Sequence, residues 1–221
     1  MGPSLSGAAT LTAALCLALS GCGSDAQPAG GTTSPPEAVS PAGGARPTIA
    51  TYFQSNGVTD IQVRRGDPGS PTVDLPLPDG WTYAGQMTPD WAYDAITYTG
   101  PDAARYTPSI VALLSRLTGD ADPQTILDLA SGELRNLPGF EPTGDGSATT
   151  LAGFPSYRIS GTWVQDAQTK TIAQTTAVIT APDGLYVLQL NSDALQDQSG
   201  IITTATDLVN TSAAVTVPES G

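Results

Sequence analysis

The chain has 221 residues, 21 acidic and 8 basic side chains and a formal charge of −13, a size that suits one folded domain with appendages. That charge disfavours binding to phosphate backbones, which it would repel, and adsorption of the folded part to an anionic bilayer. There is no His, and the only Cys residues are Cys16 and Cys22, so a Ser–His–Asp triad, a Cys–His pair and a His-bearing zinc site are excluded, as is any disulfide within the body of the protein.

The run AATLTAALCLALSG over residues 8–21 is apolar but shorter than the about 20 residues a spanning helix needs. Its length fits the apolar region of a signal peptide. It ends in Leu19, Ser20, Gly21 and Cys22, which looks like a bacterial lipobox, and residues 1–21 are read as a lipoprotein signal peptide. The thiol of Cys22 would then carry a diacylglycerol, and two or three acyl chains anchor a protein firmly. Met1 to Gly7 carry no Lys or Arg, a departure from the positively charged start of most signal peptides. Residues 22–46 consist of the acylated Cys and a stretch rich in Gly, Pro, Ser, Thr and Ala. Such a stretch has almost nothing to bury and is expected to be a disordered tether of roughly 25–30 Å average reach.

Residues 47–221 are expected to form a single domain. Thr48 caps a short helix whose Ile49, Tyr52 and Phe53 share a face and which stops at Asn56-Gly57. DIQVRR alternates as a strand. TVDL is strand-like, but Pro76 and Pro78 confine it to an edge. Tyr93 to Thr99 alternate, and SIVALLSRL is a continuous apolar run, suited to a central strand covered on both faces. Asp122-Pro123 opens a helix placing Ile126, Leu127, Ala130, Leu134 and Leu137 on one face, and Pro138-Gly139 ends it. Three strands follow, Tyr157 to Val164, Thr171 to Thr180 and LYVLQL, the first two joined by a polar turn from Gln165 to Thr169. A last helix carries Ile201, Ile202, Ala205, Leu208 and Val209, and TVP closes the pattern. This order predicts an α/β (α+β) domain: an αβα sandwich with a mainly antiparallel sheet and helices on both faces.

Without His, nucleophilic catalysis reduces to Ser–Lys or carboxylate systems. The sole Lys, Lys170, sits at the end of the predicted hairpin turn and is read as a solvated turn residue. Most of the Asp residues stand in turn contexts such as Pro78-Asp79-Gly80, Asp122-Pro123 and Pro182-Asp183-Gly184, where Asp bonds local backbone N–H groups. Asp120-Ala121-Asp122 and Gly144-Asp145-Gly146 lack the spacing of a calcium loop. The residues therefore give no catalytic site, metal site or cofactor. The aromatic residues carry more information. Trp81, Trp91 and Trp163 offer flat surfaces for stacking on sugars or lining an acyl groove, and Arg116 is a scarce cation able to orient a polar head group. The bland alternatives are core packing and a local salt bridge.

The segments VRRGDPGSPTVDLPLPDGW, SIVALLSRLTGDADP, GELRNLPGF, GDGSATTLAGF and YVLQLNSDAL, in this order between about Thr48 and Thr216, resemble the LpqN/LpqT lipoproteins of mycobacteria and related actinobacteria. The resemblance implies a Mog1/PsbP-like fold, no enzymatic activity and a role in envelope biogenesis. It also implies binding of trehalose lipids such as trehalose monomycolate. Contacts with the external domains of large lipid transporters and with antigen 85-type mycolyltransferases are implied as well, with the protein held by its lipid on the outer face of the cell membrane. Two other readings remain open: a protein adaptor without a lipid ligand, and an envelope hydrolase using carboxylates.

Overall fold

The computed structural model describes residues 44–219, so Cys22 and the lipobox residues Leu19, Ser20 and Gly21 lie outside the described residues, as does most of the expected tether. The domain opens with α1 (Ile49–Asn56), which is closed by a reciprocal cap. Thr48 Oγ1 accepts from Thr51 N at 3.1 Å, and Thr51 Oγ1 accepts from Thr48 N at 2.9 Å. There follow β1 (Thr59–Val63), β2 (Thr72–Asp74), β3 (Trp81–Tyr83), β4 (Asp94–Tyr98) and β5 (Ser109–Thr118). Two short helices, α2 (Pro123–Leu129) and α3 (Gly132–Arg135), lead to β6 (Glu141–Pro142), β7 (Ser147–Leu151), β8 (Phe154–Gln165), β9 (Gln168–Ala181) and β10 (Gly184–Leu195). The last elements are α4 (Ser199–Ser212) and β11 (Ala214–Thr216).

The main sheet runs β3-β4-β5-β10-β9-β8-β6, every pair antiparallel. The outer flank of β5 is shared: Ser109 to Ala112 pair with β4, and Leu114 to Thr118 pair with β1. In the same way β7 lies beside β8 with β6. β2 stays out of this sheet and pairs with β11 in a two-stranded ribbon, where both strands are edges, in keeping with the prolines that follow it at Pro76 and Pro78.

Alternation along the long strands feeds two cores. Ala177, Ile179, Tyr186, Leu188 and Leu190 point toward α4, where they meet Ile202, Ala205 and Val209. Val178 and Val187 point the other way and meet Ile49, Phe53, Ile126 and Ala130 of the α1 and α2 layer. Helices therefore cover both faces, as the pattern predicts. The cover is unequal: in β5, Ile110, Ala112, Leu114 and Leu117 are buried, whereas Val111 and Leu113 are only half-buried.

The structure corrects the single helix expected from Pro123 to Leu137. Asp122 caps α2 through its side chain (Gln124 N, 2.9 Å), but the helix ends at Leu129, and a new turn starts at Gly132. A Cβ at Gly132 would collide with the Pro47 carbonyl oxygen, so the break lets the two backbones touch. It also redirects Leu134 and Leu137 away from Ile126 and onto Ile159 and Ile172.

Candidate functional site

The edge of the main sheet forms a groove. The β2–β3 connection contributes Leu77, Pro78 and Asp79, the edge strands contribute Trp81 and Tyr98, and α4 contributes Gly200, Ile201, Thr204, Ala205 and Leu208. Gly80 turns the chain into β3 at φ 78°, with Trp81 N donating to Pro78 O at 3.0 Å. Trp81 then pairs in register with Tyr98, their rings tilted at a centroid distance of 6.0 Å. On α4, Ile201, Thr204, Ala205 and Leu208 follow the i, i+3, i+4, i+7 spacing. This stripe is the shoulder of the buried one, so the helix uses one row for the core and the next for the groove. The space is about 570 Å³, within the range of small-ligand sites. Its walls are mainly apolar. Leu77 and Leu208 stay 42% and 38% exposed, an exposure that an occupant would remove. Asp79 and Thr204 are the polar side chains available to a head group.

The other expected ligand residues are not gathered here. Trp81 is largely buried in the groove floor, while Trp91 is exposed in the β3–β4 connection. Trp163 lies on β8, against Leu134, Ile159 and Ile172, on the opposite face of the sheet. Four strands separate β3 from β8, so Trp81 and Trp163 stand about 25 Å apart across the sheet. Arg116 is held by Asp183, donating from Nη2 to the carbonyl oxygen at 2.7 Å with the carboxylate at 3.3 Å, and its Nε is buried without a partner. The four residues therefore do not form one groove. The contribution of α4 could not be anticipated from the apolar stripe alone, because Leu208 reads as a core position.

Lys170 departs most from expectation. The β8–β9 turn is only Asp166-Ala167, both at positive φ, and β9 already begins at Gln168. Lys170 thus falls inside the ladder, between Trp163 and Leu195, with its side chain 6% exposed. Its Nζ donates to Tyr106 Oη at 2.8 Å and to Asp193 Oδ2 at 3.1 Å. Asp193 also accepts from Ser109 Oγ at 3.2 Å and from the Tyr106 hydroxyl. Burial, followed by the Asp193 charge, pushes the Tyr106 phenol well above its usual value, so it is a fixed donor and not a nucleophile. Gln198 Nε2 adds bonds to the carbonyls of Asp102 and Tyr106 at 2.8 and 2.9 Å. The network straps the loop before β5 to β9 and β10.

A second, more polar hollow of about 340 Å³ lies between Thr143 to Ser147 and Arg158 to Ser160. Its cation, Arg158, is committed to Asp207 of α4 at 2.8 Å. Among the described residues no group of three or more acidic, His or Cys side chains is placed to hold a metal ion.

The family model described as Probable lipoprotein LpqN (Lpp-LpqN) matches residues 45–216, the whole of this sheet and its helices. The chain belongs to the Lpp-LpqN family. Lipoprotein LpqN of Mycobacterium tuberculosis (strain ATCC 25618 / H37Rv) is 43% identical over 178 residues, covering 79% of this chain and 76% of the relative. The crystal structure of LpqN, described as involved in cell envelope biogenesis of Mycobacterium tuberculosis, superposes with a TM-score of 0.74 at 43% identity. It covers 78% of this chain and 99% of that one. The Saccharomyces cerevisiae Ran-binding protein Mog1p overlaps more loosely, at 16% identity and a TM-score of 0.39 over 68% of this chain and 84% of its own. As an Lpp-LpqN member the chain is a cell-envelope lipoprotein.

Proposed function

We propose that this protein is a non-enzymatic accessory factor, acylated on Cys22, which holds a trehalose-type mycolyl glycolipid at the outer face of the cell membrane and exchanges it with lipid transporters and mycolyltransferases. The groove between β3 and α4 carries the reading. It combines exposed apolar walls (Leu77, Leu208), an aromatic floor (Trp81, Tyr98) and a few polar groups (Asp79, Thr204), the composition of a site for an acyl chain bearing a hydroxylated head. The absence of His and the engagement of the only Lys in a buried ion pair favour carrying over turnover. The identity to LpqN supports the envelope setting.

The test is calorimetric titration of the purified protein with an acyl trehalose below its micelle concentration. Saturable heat is expected, weakened about tenfold or more by Leu208→Asp, which sets a charge in the apolar wall. Free trehalose should give little heat. No heat and no thermal shift with the acyl sugar would overturn the reading. The anchor is tested separately: Cys22→Ala should leave the protein in the soluble fraction or as an uncleaved precursor, and fractionation identical to that of the unmodified sequence would refute it.

A further inference from the structure

The connection between β3 and β4 leaves the sheet and returns to it within a dozen residues, presenting an apolar tip that the groove does not use. Met87 is 75% exposed and Trp91 48%, and Tyr83, at the base, is 46% exposed. These are large side chains left in water at a favourable energy for burial elsewhere. Their exposure does not come from a loose loop. Ala84 N donates to Ala95 O at 2.8 Å, closing the base. Met87 N to Ala84 O (3.0 Å), Thr88 N to Gly85 O (3.0 Å) and Ala92 N to Pro89 O (2.9 Å) satisfy the turns within. Gln62 Nε2 pins Asp90 O at 2.8 Å, and the Tyr83 hydroxyl is tied to Leu75 O at 2.9 Å. The backbone is held so that Met87 and Trp91 stay outside.

We propose that this tip inserts into the interfacial region of the lipid bilayer and so orients the tethered domain. Three observations choose lipid over a protein surface. First, the residue types are those that partition to the boundary of a membrane, where Trp and Tyr keep an apolar body and a polar handle. Second, residues 75–95 contain no Lys or Arg, and the adjoining Arg65 is already bound to Asp74 and Asp94, so no cation of this segment awaits an acidic partner, and a second copy of a chain with charge −13 is repelled. Third, no more than about 80 Å of fully extended chain separates Cys22 from Gly44, so the lipid surface is the one partner always within reach; this part rests on the anchor proposed above. The tip contacts lipid by insertion and not by attraction of charge, since Asp79 and Asp90 flank it. Trp81 in the groove floor and Tyr83 at the loop base are alternate residues of β3, so insertion brings the groove next to the bilayer from which an acylated ligand would enter.

The test uses the acylated full chain reconstituted into phosphatidylcholine vesicles with or without brominated acyl chains, which quench indole at contact. Flotation first reports the anchor. The signal from Trp91 is the difference between the unmodified protein and Trp91→Phe. Brominated vesicles should reduce that difference about twofold or more, and Met87→Asp should restore it. Flotation with Trp91 emission equal in the two vesicles would overturn the insertion and leave the anchor standing. Trp91 shielded from aqueous iodide but not quenched by bromine would also overturn it, in favour of a protein partner. Failure to float would overturn the anchor and this proposal together.

Discussion

Asp193 offers a test of the buried network whose outcome follows from asymmetry. The carboxylate takes bonds from Tyr106, from Ser109 (3.2 Å) and from Lys170 (3.1 Å), while the Lys170 side chain is 6% exposed and that of Asp193 25%. Asp193→Ala leaves an ammonium inside the sheet with only the Tyr106 hydroxyl, at 2.8 Å, to solvate it. Orphaning one member of a buried pair costs about 3–5 kcal/mol, and water reaching the Asp193 end puts this case near 3. Lys170→Met removes the charge and leaves a carboxylate that keeps two hydroxyl donors and some water, at about 1 kcal/mol or less. The double variant should then be more stable than Asp193→Ala alone, by about 1–2 kcal/mol. Urea unfolding with matched slopes measures all three, and in a domain of this size Asp193→Ala should lower Tm by about 6–12 °C. Equal and additive losses for the two single variants would refute the reasoning, because they would mean that Lys170 is solvated without its partner.

The same burial predicts that an amine-reactive ester leaves Lys170 unmodified in the folded protein and labels it in urea, read by peptide mass spectrometry; rapid labelling of the native state would contradict the ladder position. Glu133 accepts from Ile49 N at 3.0 Å, but its other carboxylate oxygen is buried without a partner, and burial raises its pKa above the usual 4.5. A raised folded-state value means that the contribution to stability is full below pH 4.5 and is lost as pH rises through the folded pKa. Glu133→Gln should therefore be as stable as the unmodified protein at pH 7, within about 1 kcal/mol. The unmodified protein should gain on it as pH falls through the folded pKa toward 4.5, with no further gain below that; chemical denaturation at pH 7 and at pH 4.5 decides, and the opposite trend would exclude a destabilising buried charge. Gly161 of β8 faces Glu141 O and the Phe140 ring, which lie where a Cβ would go. Gly161→Ala should separate β6 from β8 and cost about 2 kcal/mol or more, measured by thermal unfolding; an unchanged Tm would show that β6 yields freely.

What the sequence discloses is governed by how local each cause is. The cap at Thr48, the end of α1, the edge role of the Pro-flanked β2 and the helix start at Asp122 depend on neighbours within four residues, and each is where the pattern puts it. The alternation of β9 and β10 and the two-sided αβα packing follow from side-chain period in the same way. The failures share the opposite property. The polar position of Lys170 marks a turn until the tight Asp166-Ala167 reversal sets the register and carries it opposite Trp163. The break before Gly132 answers to Pro47, some eighty-five residues away in the chain. β7 spells Ser-Ala-Thr-Thr-Leu, exposed along four of its five residues, and becomes a strand only because β8 pairs with it. The candidate site belongs with these. Trp81 is legible as a large aromatic, but its partners arrive through the Trp81–Tyr98 register and the docking of α4, while the strand order places Trp163 on β8, four strands away, and Asp183 holds Arg116. α4 packs on the face of β9 and β10, and its shoulder faces Trp81 and Tyr98 at the β3 end of the sheet across the groove. The outer row of that shoulder, Leu208 included, is left half in water. The groove is thus a consequence of how this sheet ends, and the residues that line it inherit their exposure from topology.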